Sequence, residues 1–262
     1  MVLSMFVSIL FLLCHSAIAV TSSPYSAVTA LDKYGNSVQL KNAREAATRY
    51  GMPVVAATCT EGVVVVSVHK PRLGILSQPT LIHTLSLHAP PMGIVCTGIK
   101  ADAKWLVSTM RDYQKRNWES YDLKNLSRKR SQQVSAQALL TFMGYNRDKE
   151  LHDGLVVDSE ETWARPLGVQ SMLVSSDGPI TLVDPSGTSQ HFNAQAIGKN
   201  SREVNAKLEE RYEPHQSVQE VQQLLVDILK EVFDDAGNDS ELVVDILTPD
   251  GIERIRIRNQ RS

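Results

Sequence analysis

Two valine-rich runs, 54–58 and 63–68, are separated by the short connection Cys59-Thr60-Glu61-Gly62. β-Branched runs on either side of a Gly-containing link predict a hairpin. Val63 to Val66 are consecutive valines, so the second strand is buried on both faces. Gly93–Gly98 reads as a short buried strand, and Asp102 opens an amphipathic helix with Trp105, Leu106, Met110 and Tyr113 on its apolar stripe. A second helix spans about Ser131 to Met143, with Val134, Ala138, Leu139 and Phe142 inward. The polar stretch 144–163, with Asp148, Glu150, Asp153, Asp158, Glu160 and Glu161, reads as an insertion with solvated carboxylates.

The second half alternates in the same way. Val169–Ser175 and Ile180–Val183 are strands, Asp184-Pro185-Ser186-Gly187 is a tight turn with Pro presetting φ, and a further strand runs from about Ser189 to Ala196. Gly198 ends that strand, and Asn200 or Ser201 caps a helix over 203–212. A longer helix follows from Ser217 to Phe233. Leu242–Leu247 and Ile252–Ile257 form a final pair across Thr-Pro-Asp-Gly. Strand pairs alternating with helix pairs disfavour a doubly wound parallel sheet. They predict an α+β protein, a four-layer α/β/β/α sandwich of two antiparallel sheets.

Composition adds exclusions. With 262 residues, 42% hydrophobic and 21% charged, the chain can bury a large core, and a net charge of -2 gives no reason to expect nucleic acid as a partner. Trp105, Trp118 and Tyr121 therefore read as core or subunit contacts rather than a base-stacking surface, and Arg128-Lys129-Arg130 as solvated surface. Cys14, Cys59 and Cys96 are too scattered for a disulfide scaffold, and Cys59 and Cys96 lie in apolar strands as core residues. The histidines show no metal-ligand spacing; His83 and His88 would face opposite sides of a strand. Gly198-Lys199-Asn200-Ser201 is no phosphate loop, because Asn193 and Asn200 stand where the motif needs Gly and a hydroxyl. No cofactor and no metal are expected.

At the amino terminus, Met5–Leu13 is an apolar run followed by Ala17-Ile18-Ala19, which fits a cleavage site, and no charge precedes Asp32. Residues 1–24 read either as a signal peptide or as an upstream extension from a wrongly chosen start codon. The run is too short to span a membrane, so no membrane association is expected of the mature protein.

Five blocks carry a family resemblance: Tyr25-Ser26 with Thr29 and Gly35; Glu61-Gly62-Val63-Val64; Thr97-Gly98-Ile99-Lys100-Ala101-Asp102-Ala103; Arg165-Pro166-Leu167-Gly168-Val169; and Asp184-Pro185-Ser186-Gly187 with Ala196-Ile197-Gly198-Lys199-Asn200-Ser201. In this order they resemble an α-type subunit of the 20S proteasome core particle, over roughly Tyr25 to Tyr212. The resemblance assigns 25–262 to one α-type domain with the N-terminal nucleophile hydrolase fold. It implies a non-catalytic member of an outer ring in hetero-oligomeric stacked rings of α- and β-type subunits. Its amino-terminal segment would gate entry for ubiquitin-dependent degradation, in cytoplasm and nucleus, with regulatory caps as further partners.

The same resemblance locates three telling positions. Catalytic β-type relatives need a processed Thr before the first strand, an Asp at the end of the second and a Lys beyond; here those places hold Met52, Val68 and about Thr84. Thr21, the residue a leader cleavage could expose as an alternative peptidase nucleophile, is far from any strand entry. At the gate, Tyr25 is kept, whereas Ser26, Lys33 and Asn42 stand where the family carries Asp, Pro and Tyr. Ile75 replaces the Lys that binds activator carboxyl termini and cannot pair with a carboxylate. A secreted relative with a non-proteolytic binding role is the alternative that the leader suggests.

Overall fold

A computed structural model describes residues 31–69, 81–86, 91–121, 166–233 and 241–258. Its elements in chain order are helix α1 (Val38–Tyr50), strands β1 (Val54–Cys59), β2 (Gly62–His69), β3 (His83–Ser86) and β4 (Met92–Gly98), helix α2 (Lys100–Tyr121), strands β5 (Val169–Ser175), β6 (Ile180–Val183), β7 (Ser189–Phe192) and β8 (Ala194–Ile197), helices α3 (Ser201–Arg211) and α4 (Val218–Val232), and strands β9 (Glu241–Thr248) and β10 (Gly251–Arg258). The leader, Tyr25, Ser26, Thr29, Ile75, His88, Arg165, the 131–143 helix, the 144–163 segment and the side chains of Tyr113, Trp118 and Tyr121 lie outside the described residues.

The strands form two antiparallel sheets, in the orders β10-β9-β2-β1-β8 and β3-β4-β5-β6-β7. Alternation along the strands sorts their side chains into layers. Val54, Ala56, Val63, Val65, Val243 and Leu247 of the first sheet meet Val95, Met172, Val174 and Ile180 of the second between the sheets. The other face of the first sheet, with Val55, Val64, Val66 and Val244, is covered by Val221, Leu225, Ile228 and Leu229 of α4 and by Val204 and Leu208 of α3. Leu106, Val107 and Met110 of α2 cover Ile94, Val169 and Leu173 of the second sheet. The four-layer α/β/β/α sandwich is therefore present, and Val63 to Val66 are fully buried because β2 lies mid-sheet with α4 on one side and the second sheet on the other.

Several expectations need correction. The single strand expected over 189–196 is two strands in different sheets: Phe192 pairs with Ile180, while the Asn193 carbonyl already accepts from Thr58 of β1 at 2.8 Å and Ala194 pairs with Ala57. Helix α2 starts at Lys100, and Asp102 lies in its first turn. Asn200 occupies the cap position of α3 but in the left-handed region at φ 57°, without a side-chain cap bond, and Ser201 is the first helical residue. Trp105 is half-buried. Cys59 and Cys96 are both only partly buried, although burial still raises the Cys59 thiol and pushes the Cys96 thiol up to about 12. Helix α1 is an element that the sequence reading did not include, although its half-buried Leu40 and buried Ala43 and Ala47 recur at helical spacing.

A buried ion pair stands between the sheets. Asp245 of β9 is fully buried; Arg254 of β10 donates to both its oxygens at 2.6 and 2.7 Å, and the Ile82 amide donates to Oδ2 at 3.1 Å across the sandwich. The paired, hydrogen-bonded carboxylate holds the Arg254 guanidinium above its ordinary range.

Candidate functional site

Three of the sequence blocks, separated by tens of residues along the chain, meet at one end of the sandwich, under α1. This helix starts where Ser37 Oγ accepts from the Leu40 amide, and it ends at Gly51, from which Met52 and Pro53 lead into β1. Its contact with the body is close because the facing residues are small. A Cβ on Gly51 would stand 2.2 Å from both the Ala47 carbonyl and Thr97 Oγ1. Gly98, at φ +125°, lets its backbone reach Ala47, and a Cβ there would lie 2.2 Å from the Gly168 carbonyl.

Asp102, itself buried, accepts from the Gly168 amide at 2.9 Å, and the Ile99 amide donates to the Gly168 carbonyl at 3.0 Å. The blocks around Gly98 and around Pro166 and Gly168 are thus two sides of one joint at the start of α2. Gly198 belongs to the same end: a Cβ on it would meet the Met52 carbonyl at 2.2 Å, and the next residue, Lys199, donates to the Gly51 carbonyl at 3.3 Å. Gly62 sits at the opposite end, as the first residue of β2, where it makes room for the Leu247 carbonyl of β9.

The Asp184-Pro185-Ser186-Gly187 turn closes as expected, with the Gly187 amide donating to the Asp184 carbonyl at 2.9 Å. Asp184 Oδ1 accepts from the Ser186 amide at 2.6 Å and from the Ser186 hydroxyl, and Oδ2 accepts from Arg44 Nε of α1 at 2.6 Å. Arg44 is a site residue that sequence reading missed. Its signal was available in the alanines Ala43, Ala46 and Ala47 around it, since a helix lined with alanine on one face can press closely on a sheet.

The position before β1 can be read chemically. Met52 has no hydroxyl, and its nitrogen is acylated by Gly51 at the end of α1. Its carbonyl accepts from Thr97 Oγ1 at 2.7 Å, and the neighbouring Pro53 carbonyl accepts from Ser67 Oγ at 2.9 Å. Val68 is buried in β2, and Thr84 lies half-buried in β3 with its carbonyl accepting from Arg111 Nε at 3.1 Å. Met52 thus lacks the hydroxyl, Val68 the carboxylate and Thr84 the ammonium that such a mechanism needs at each place. Among the described residues, no group of three potential metal ligands occurs.

Of the positions expected at the gate, Lys33 and Gly35 lie in a turn just before α1, which Asp32 organises by accepting from the Tyr34 and Asn36 amides at 2.8 and 2.9 Å. The Asn36 amide is the main cause that holds the Asp32 carboxyl below its usual range. Lys33 Nζ stacks 4.9 Å from the Tyr34 ring centre, and Asn42 is exposed on α1. A groove of about 580 Å³ runs from Gly35 and Ser37 along Lys41 and Arg44 to Gln170.

Comparison with known proteins bears on this geometry. The family model described as "Proteasome subunit" matches residues 48–247. The chain belongs to the proteasome subunit family. It is a divergent α-type member, similar to the proteasome subunit alpha of Methanosphaerula palustris (29% identical over 197 residues, 74% of each chain). It is likewise similar to the proteasome subunit alpha type-5 of Trypanosoma brucei brucei (26% over 206 residues, 78% of each) and the alpha type-7-A of Arabidopsis thaliana (27% over 227 residues, 83% of this chain and 81% of the relative). The family match runs past Tyr212 through β9, so the last helix and the start of the final hairpin belong to the proteasome fold as well.

Proposed function

We propose that this protein is a non-catalytic α-type subunit that occupies an outer ring of a proteasome core particle and contributes its amino-terminal segment to the control of entry. The observation that carries the reading is the join of α1 to β1. Where a peptidase of this fold presents a free amino-terminal hydroxyl residue, Met52 is amide-bonded to a packed helix, and cleavage before it would expose a thioether. Residues 25–262 act as one domain with 144–163 as an insertion. The partners are other α- and β-type subunits, and the compartments are cytoplasm and nucleus. The turn of Lys33 and Gly35 with Asn42 forms the base of the gate, and regulatory caps would dock here without the lysine that Ile75 replaces.

The test is purification of the tagged full chain from its own cells, with native mass measurement and identification of co-purifying chains. Stacked rings with other proteasome subunits are expected, burying on the order of 2,000 Å² or more per obligate contact; a lone monomer contradicts the proposal. Labelling of this chain by a hydroxyl-directed peptidase probe would contradict the non-catalytic part, and a reporter fused to residues 1–26 that enters the secretory pathway would contradict the compartment.

A further inference from the structure

Strand β10 is the outermost of its sheet, and among the described residues no strand lies on its far side. Its eight residues pair one to one with β9, from Gly251 opposite Thr248 to Arg258 opposite Glu241, without a bulge. A long, regular edge of this kind is open to another strand unless its side chains forbid it. Alternation divides those side chains between two faces. Ile255 and Ile257 lie half-buried on the side of α4, with exposed Glu253 on the same face; Ile252, Arg254 and Arg256 lie on the face turned to the second sheet. The two arginines differ in what they meet. Arg254 is taken up by buried Asp245, which ties the strand to β9 and, through the Ile82 amide, to the second sheet. Arg256 stands opposite Val243, is exposed, and makes no ion pair among the described residues.

We propose that β10 takes an extended acidic segment of a different, neighbouring subunit as a further strand, with a carboxylate facing Arg256 and apolar residues beside Ile255 and Ile257 on the opposite face. This rests on the ring-subunit reading given above. Charge selects such a partner over a second copy of this chain. Antiparallel pairing of β10 with itself about its centre sets Arg256 against Arg254 or against another Arg256, like charges in direct opposition. The other edge strands, β3, β7 and β8, contain no Asp or Glu to offer in its place. The same arginine thus repels copies and attracts a chain of opposite charge. The Asp245–Arg254 bonds fix the strand before the partner arrives, so little ordering remains to be done on docking.

In particles purified through the tagged full chain from its own cells, a photo-crosslinking amino acid in place of Glu253 should join this chain to another subunit at a segment carrying Asp or Glu. No crosslink to another subunit, a crosslink within the same polypeptide or between two copies, or one to a segment without carboxylates overturns the proposal. Arg256→Glu should lower the share of the chain recovered in particles about tenfold, and Arg256→Lys should keep it. Because Arg256 is exposed, the isolated Arg256→Glu chain should keep the parental urea midpoint, which separates loss of docking from loss of folding. Replacing the crosslinked carboxylate of the neighbour by lysine should restore recovery of Arg256→Glu; failure to restore it overturns the proposal whatever the midpoint. Arg256→Glu recovered at the parental level overturns the acidic docking and leaves the ring-subunit reading intact. Absence of the parent chain from every particle overturns both.

Discussion

Helices α1 and α4 cover opposite outer parts of the same sandwich and are attached in opposite ways. Helix α4 buries Val218, Val221, Leu225, Val226, Ile228 and Leu229, each contributing about 1.5–3 kcal/mol on burial, and begins with a full capping box in which Ser217 and Glu220 satisfy each other's backbone amides. Helix α1 buries alanines, approaches glycines, and relies on a surface arginine for direction. One is attached by volume, the other by the absence of volume. Volume makes an anchor that survives changes of salt and loses stability when atoms are removed. Closeness makes a register that atoms added to it would disrupt.

The largest effect should come from emptying the α4 side. Leu225→Ala leaves a cavity in the layer formed with Val64, Val66 and Val244, and should cost about 3 kcal/mol in urea unfolding with unchanged m. The α1 side should respond instead to addition. Gly98→Ala places a methyl against the Gly168 carbonyl in a backbone conformation that L residues avoid, and should cost about 2 kcal/mol, with faster exchange of the Ile99 amide. If Gly98→Ala proved neutral while Ala47→Gly proved severe, closeness would not be what holds α1.

A smaller effect is expected at the α4 cap, where Ser217→Ala should lower stability by about 1 kcal/mol by thermal or urea unfolding, and Ser217→Asp should restore most of it. The smallest concerns the surface bridge between α3 and α4. Glu231 accepts from Arg211 at 2.7 and 3.0 Å and from Lys207 at 2.9 Å, which lowers its carboxyl to about 2 from an ordinary 4.5. A depressed acid stabilises the fold above its unfolded pKa, so this contribution is present at neutral pH and disappears as pH falls from about 4.5 towards about 2. The Lys207→Met, Arg211→Met double variant should flatten that part of the stability-pH curve in low salt. An unchanged curve would mean that the bridge contributes nothing.

The same contrast governs what could be read in advance. The period of α4, its Ser217 cap and the strands on either side were legible because large aliphatic residues at regular spacing leave few ways to be buried. Helix α1 was harder to read because its buried residues, Ala43 and Ala47, are small, so its period carries less side-chain volume than that of α4. The strand expected over 189–196 failed because hydrophobicity is blind to pairing partners. Phe192 and Asn193 are neighbours in sequence, and only the competition between β6 and β1 for their backbones puts them in different sheets. The family blocks were visible as wording, yet nothing in the wording said that Gly98, Gly168, Gly198 and Asp184 gather around α1.

Residue order alone determined the layering, through runs of branched side chains that need cover on two faces and helices with one greasy stripe, and it determined that the position before the first strand lacks a hydroxyl. Those are local properties of side chains, fixed before any long-range contact forms. The folded molecule decided which glycines face which carbonyls, where the chain leaves one sheet for the other, and that Arg44 reaches Asp184 from 140 residues away. Such contacts depend on distances of a few ångströms between segments remote in sequence, and they come into being only when the sheets are stacked.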